Sequence, residues 1–261
     1  MKQLLVALWM GGCAAAAAQT AWLLGELHDQ PDHQRQAAQL VSELAAQGRL
    51  QALVLEMAER DRHTRGLPPD AGEAQVREAL AWHEPGWPWA VYGPVVMAAV
   101  RAGVPVHGGN LPRAELRAAT GQAGWDDLVP AAARQRLVDA VRDGHCGLVP
   151  EAQLPAMARM QIARDDALAA TIAAASHGAP PDAVVLLLAG AVHASRLTGV
   201  PLHLPRHAPA LTVRTTAFVP AGAIPPAGFD DAREAAAQAS RDHCADLRER
   251  GMPTITSPAS R

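Results

Sequence analysis

Four short runs of apolar residues each break off into polar residues of one kind. Trp22-Leu23-Leu24 runs into Gly25-Glu26-Leu27-His28, and Leu53-Val54-Leu55 into Glu56. Val104-Pro105-Val106 runs into His107-Gly108-Gly109-Asn110, and Val184 to Leu188 into Ala189-Gly190-Ala191-Val192-His193. Runs rich in Val and Leu without alternation, each followed by a helix-like stretch, suit strands of a parallel sheet covered on both faces. Ligands of such sheets bind beyond the carboxyl ends of the strands. Glu26, His28, Glu56, Asn110 and His193 are therefore expected to converge around one cavity.

Between these runs the chain alternates strand and helix. A helix capped by Asp32 is expected to run to about Gly48, with Leu40, Val41 and Leu44 on its buried face. Residues 71–80 read as an exposed helix, and 93–102 as a helix with Pro94 at its first position. Residues 111–176 show no strand pattern. Helices at 130–142 and 151–176 make this a helical insertion over the strand ends. A short strand is expected near 200–204 and an edge strand at 211–218, then a linker at 220–228 and an Ala-rich, charged helix at 230–250. The fold class is α/β, a mostly parallel sheet with helices on both faces plus a helical subdomain. Residues 1–21 read as leader and tether, 22–220 as the α/β domain, 221–250 as linker and C-terminal helix, and 251–261 as a disordered tail.

Bulk properties add exclusions. The 261 residues carry a net charge of -3 with 49% hydrophobic content, enough for one large core and without the basic excess that nucleic acid demands. The N-terminus has Lys2, an apolar stretch from Leu4 to Met10 too short to span a bilayer, and Gly11-Gly12 before Cys13. This predicts export, either as a lipoprotein anchored at Cys13 or, after cleavage within Ala14–Ala18, as a periplasmic protein. In an oxidising compartment Cys146 and Cys244 are expected to form a disulfide. The alternative, a metal site with His145 and His243, lacks ligand spacing.

Taken together, these segments resemble the ChaN-like haem-binding lipoproteins, a branch of a superfamily that includes Tiki, TraB and the erythromycin esterases. The matching stretches are Leu24-Gly25-Glu26-Leu27-His28-Asp29, Val54-Leu55-Glu56-Met57, Trp82 with Gly86-Trp87-Pro88-Trp89 and Tyr92-x-Pro94, Gly108 to Arg113, Met160-Gln161-x-x-Arg164-Asp165, and Gly190-Ala191-Val192-His193. They span residues 22–204. The resemblance implies an α/β body with a helical subdomain, surface lipidation and a part in haem or iron acquisition. The eight residues between Cys13 and the first strand would hold a lipidated domain close to the bilayer, which suits an outer-membrane haem receptor as partner, and a homodimer could bury a flat haem between two pockets.

Haem requires an apolar slot, an axial ligand and cations for the propionates. Trp82, Trp87 and Trp89 beside Tyr92 are candidates for one porphyrin face and Met157 and Met160 for the other, with Arg113 and Arg164 for the propionates and His28 and Asn110 as pocket residues. Each has an ordinary reading as well: a loop plug for the tryptophans, helix packing for the methionines. Tyr92 and His193 are the leading iron ligands, phenolate being a good donor to ferric iron; the resemblance also implies a tyrosine. His33, His63, His177, His203 and His207 are expected at the surface. A second function draws on the same residues. In it His28, Glu56 and His193, supported by Glu26 and Arg113, form a hydrolytic site of the Tiki or erythromycin-esterase type, assisted by zinc or manganese.

Overall fold

The computed structural model describes residues 19–236 and 242–250. The leader, the Cys13 motif and the 251–261 tail lie outside them. Six parallel strands form a single sheet of order β3-β2-β4-β1-β5-β6. They are β1 (Thr20–Glu26), β2 (Leu50–Glu59), β3 (Val106–Asn110), β4 (Val184–Gly190), β5 (Thr212–Pro220) and β6 (Asp231–Ala235).

Strand residues point alternately to the two faces, so a strand buried on both reads as one unbroken apolar run. Leu24, Leu53, Leu55, Leu186 and Leu188 face one side. There they meet α1 (Pro31–Ala46), α2 (Glu73–Ala79) and α3 (Trp89–Arg101) through Leu40, Val41, Val76, Val96 and Val100. Leu23, Val54, Val185 and Leu187 face the other side, against Leu168 and Ile172 of the long helix α6 (Leu154–Ser176). These leucines are fully buried, and truncating any one to Ala costs ~2–5 kcal/mol.

The helical subdomain consists of α4 (Arg113–Ala119), a 3₁₀ segment at Ala123–Leu128, α5 (Ala131–Gly144) and the N-terminal half of α6. Small apolar clusters hold it together. Leu116 packs on Ala163, Leu137 on Ile162, and Val149 on Met157. Cys146 and Cys244 form a disulfide, which with a His243 Nε2 to Gly144 O contact of 3.3 Å docks α9 (His243–Arg250) on this subdomain. No helix of the described residues is long and apolar enough to cross a membrane.

Several elements depart from the sequence reading. Residues 231–235 form β6 rather than the start of a helix, and β5 is accordingly interior. The Ala-rich composition favours helix, but the open edge of β5 offers a full ladder, and Asp230 Oδ2 accepts the Thr215 N–H at 2.9 Å to fix the register. Gln30, not Asp32, holds the position before α1, whose first residue is Pro31, and its side chain makes no capping bond. The Asp32 carboxylate instead accepts the Ala236 N–H at 2.7 Å, which holds it below the ordinary aspartate range. Helix α3 starts at Trp89, so Pro94 lies inside it. Residues 200–202 form a 3₁₀ turn leading into α8 (Leu204–His207), because Pro201 and Pro205 remove two ladder donors. The surface placement of His63 and His177 holds, whereas His33 and His203 are buried. His33 stacks on Phe218 and accepts the Leu27 N–H at 3.0 Å.

Candidate functional site: carboxylate–imidazole pairs at the strand ends

Strands β1, β2 and β4 end side by side, with Glu26 level with Gly190. Each delivers one residue of a buried polar cluster. Glu26, at the last position of β1, is 1% exposed. Its Oε1 accepts the Tyr92 hydroxyl at 2.8 Å and His28 Nδ1–H at 2.7 Å, and its Oε2 accepts the Gln34 amide. Burial raises the Glu26 pKa against the pull of these donors. Because Nδ1 of His28 is spent on Glu26, the ring's other nitrogen is the one left for chemistry.

His193 repeats the device. It lies in α7 (Ala191–Ala194), directly beyond β4, and its Nδ1–H donates to Asp165 Oδ1 of α6 at 2.6 Å. Glu56 lies between the two imidazoles: its Oε2 is 4.0 Å from His28 Nε2 and its Oε1 3.4 Å from His193 Nε2. Arg164 Nη1 approaches Glu56 Oε1 at 3.2 Å, and the Gly190 N–H donates to Oε2 at 2.9 Å. Burial pushes the Glu56 carboxyl up, yet His193, Arg164 and His28 outweigh it and hold the group at about 2. Burial favours neutral imidazoles, but Glu26 and Glu56 raise the pKa of His28, and Glu56 and Asp165 raise that of His193.

The five residues expected to converge do so. Asn110 Nδ2 donates to the Glu56 carbonyl at 2.9 Å, and its Oδ1 accepts Arg164 Nε at 3.1 Å. Accessibility separates the members sharply. The His28 side chain is 42% exposed, against 7% for His193. Tyr92 is buried, with its hydroxyl committed to Glu26, which with burial drives its pKa far above that of a free phenol. Of the three imidazole or phenol groups, His28 alone reaches the surface.

The remaining candidates divide. Trp87 borders His28 edge-on at 4.8 Å and Tyr92 at 5.7 Å. Trp89 is buried, its indole N–H donating to Glu73 at 2.8 Å, and Trp82 stands edge-on to it at 5.1 Å. These two plug the core. Met157 and Met160 pack within the helical subdomain, on Val149 and on Leu111 respectively. Arg164 is turned inward, whereas Arg113, in the first turn of α4, is exposed and has no ion-pair partner among the described residues. Gln34 and Asp165 were not singled out from sequence. Asp165 lies in the Met160-Gln161-x-x-Arg164-Asp165 stretch, and an acid next to Arg164 is the available signal.

Among the described residues no group of three or more His, Cys, Asp and Glu is disposed to hold a metal ion, and Glu26 and Glu56 have their oxygens engaged. The metal-assisted hydrolytic alternative gains no support from this arrangement. For haem, the residues fit in part. An exposed imidazole with a fixed tautomer is a suitable iron ligand. Trp87 borders the ring, and Leu27 and Val192, next in sequence to His28 and His193, are exposed apolar side chains.

Fold and site thus define a parallel α/β protein with a carboxylate-held histidine pair beyond its strand ends. The chain belongs to the family described as haem-binding uptake, Tiki superfamily, ChaN, whose pattern matches residues 13–204. Among solved structures, one described as cofacial heme binding to ChaN of Campylobacter jejuni superposes with a TM-score of 0.64 at 23% identity, covering 83% of this chain and 87% of that one. A second, the type III effector HopBA1, gives a TM-score of 0.54 at 13% identity, over 84% and 88% of the two chains. At these identities the likeness concerns the fold. No curated protein matches.

Proposed function

We propose that the chain binds haem at the strand-end site and serves haem or iron uptake outside the cytoplasm. Family membership supplies the ligand class. The observation that carries the reading to a site is His28, an exposed imidazole whose Nδ1–H is held by the buried Glu26. His28 Nε2 is the iron ligand of this proposal. Bound there, haem supplies a ferric centre that accepts an imidazole lone pair. Glu26 and Tyr92 keep that lone pair available by fixing the ring tautomer. Trp87, with the exposed Leu27 and Val192, would supply apolar surface to the macrocycle, and the exposed Arg113 would be available to a propionate.

Partners and location extend the same proposal. Cys13 carries a lipid anchor at the outer membrane, an outer-membrane receptor delivers the ligand, and a second copy packs on the His28 face. Incorporation of labelled palmitate, lost on Cys13→Ser, tests the anchor.

The deciding experiment is titration of the purified chain with ferric haemin. A saturable Soret shift is expected for the wild type, and its loss or displacement for His28→Ala. Absence of a shift in the wild type overturns the haem reading. A shift indifferent to His28→Ala retains haem but removes His28 as its ligand.

A further inference from the structure

Between α2 and α3 the chain makes a loop, residues 80–88, that is exposed for most of its length yet bonded largely to itself and to the two helices. Ala81 opens it in the left-handed region, at a φ of 46°, a conformation that persists only where the surroundings fix it. The Gly86 and Trp87 N–H groups both donate to the His83 carbonyl, at 3.1 and 3.0 Å. Glu84 ties the loop to both neighbouring helices: its Oε1 accepts the Trp89 N–H at 3.0 Å and its Oε2 accepts Arg77 Nη2 at 2.8 Å. The Trp82 indole N–H crosses the loop and donates to the Trp87 carbonyl at 2.7 Å.

The partner of that indole N–H is informative. A partly buried tryptophan needs some acceptor for its N–H, and any nearby carbonyl satisfies the need. The one used belongs to Trp87, whose ring stands edge-on to His28 at 4.8 Å and to Tyr92 at 5.7 Å. Trp82 is itself anchored on the core, edge-on to the buried Trp89 at 5.1 Å. A chain of observed contacts therefore runs from the core through Trp82 and the Trp87 peptide to the one exposed imidazole of the site. A wall ordered before a ligand arrives spares the cost of ordering it on binding.

We propose that Trp82 is a positioning residue of the strand-end site: by holding the Trp87 carbonyl it sets the Trp87 ring against His28, and loop 80–88 is a pre-formed aromatic wall for a flat, apolar ligand. The use of the wall rests on the His28 reading given above, whereas the placement of Trp87 is a property of the ligand-free chain.

Proton NMR of the full ligand-free chain, with its histidine and tryptophan rings labelled, tests the placement. In the wild type a nuclear Overhauser cross-peak is expected between the ring protons of Trp87 and His28. Trp82→Phe, which keeps a ring but has no donor, is expected to lose most of that intensity while far-ultraviolet circular dichroism stays unchanged. Should this variant not fold, 3-benzothienylalanine at position 82, with sulfur in place of the indole N–H, removes the donor alone and carries the same expectation. No cross-peak in the wild type overturns the proposal, as does one of wild-type intensity in either folded variant. Titration with ferric haemin tests the use. The dissociation constant is expected to rise about fivefold or more in Trp82→Phe, and an unchanged constant overturns the assignment of the wall to the ligand. A chain whose cross-peak depends on Trp82 but which binds no haemin sinks the haem reading alone and upholds the placement.

Discussion

Tyr92 and His28 meet at a single carboxylate oxygen: the hydroxyl reaches Glu26 Oε1 at 2.8 Å and the imidazole Nδ1 reaches it at 2.7 Å. The two side chains reach it from α3 and from the end of β1, yet only the imidazole is open to solvent. The tyrosine is thus built as a support for the histidine.

A substitution separates the two roles. Tyr92→Phe removes one donor from a buried carboxylate and should cost about 1–3 kcal/mol of stability. The ferric haemin spectrum should keep its band positions, because the hydroxyl is committed to Glu26. His28→Ala should do the reverse, changing the spectrum at small cost in stability. Urea midpoints and Soret spectra of the two variants check this. A tyrosinate-type charge-transfer band in the wild type, absent from Tyr92→Phe, would make Tyr92, one of the two iron ligands expected from sequence, the ligand in place of His28.

The polar cluster should also set the acid limb of stability. The Glu56 pKa falls from 4.5 to about 2 on folding, so its contribution is complete above pH 4.5 and is lost as pH falls toward 2. A depression of that size corresponds to roughly 3 kcal/mol. His28 and His193 move the other way from 6.5, so their contributions are complete below 6.5 and are lost as pH rises through the folded values. These three groups together therefore stabilise most between about pH 4.5 and 6.5. Glu26 and Asp165, both raised by burial, act in the opposite sense to Glu56, so the bulk curve mixes the terms. Comparing the wild type with Glu56→Gln isolates one of them. The variant should be destabilised by about 3–5 kcal/mol at pH 6, since it leaves Arg164 and the imidazoles without their anion, and the gap should narrow toward pH 2. A gap that is the same at pH 6 and pH 2.5 would contradict the arrangement.

What the chain makes legible follows from how each element is stabilised. Strands β1, β2 and β4 are buried on both faces, so composition alone marks them, and their ends carry the unusual residues Glu26, Glu56 and His193. β6 carries no such mark. Its residues Asp231 to Ala235 favour helix and become a strand because the edge of β5 is open to them. The same distinction runs through the site. His28 and His193 stand out beside glycines at strand ends. Gln34 and Asp165 matter only because a buried carboxylate and a buried imidazole need partners, which is a fact of packing. Which of Tyr92, His28 and His193 faces solvent depends on the depth at which α3 and α7 sit, and no local pattern reports that depth.

The Cys146–Cys244 disulfide closes 98 residues of sequence separation. The chain-entropy argument allows up to ~4–5 kcal/mol from a loop of this length, which for a domain of this size is about 10 °C in Tm. Reductant, or Cys146→Ser, should lower Tm toward that bound. Haemin affinity should change little, because no residue of the strand-end cluster lies in α5 or α9.

Gly190 offers the narrowest probe of the site. It closes β4 opposite Glu26, and its φ of -55° and ψ of 147° are open to any L-residue, so the backbone does not require glycine. A Cβ placed there would stand 3.1 Å from His28 Nε2, 3.3 Å from its Cε1 and 3.6 Å from Glu56 Oε2. The glycine is needed by the imidazole's position, not by the turn. Gly190→Ala should leave the unfolding midpoint within about 1 kcal/mol of wild type while pushing the His28 ring outward and stretching its bond to Glu26. Haemin affinity should drop by about tenfold or more, equivalent to at least ~1.4 kcal/mol. The same substitution at Gly25 differs in kind, since its Cβ would meet Phe229 at 2.8 Å and the Ala191 Cα at 3.0 Å, so stability should fall with affinity. Denaturation curves and haemin titrations on the pair separate a positional effect on His28 from a general loss of packing. Equal affinity losses that track equal stability losses would remove His28's placement as the cause.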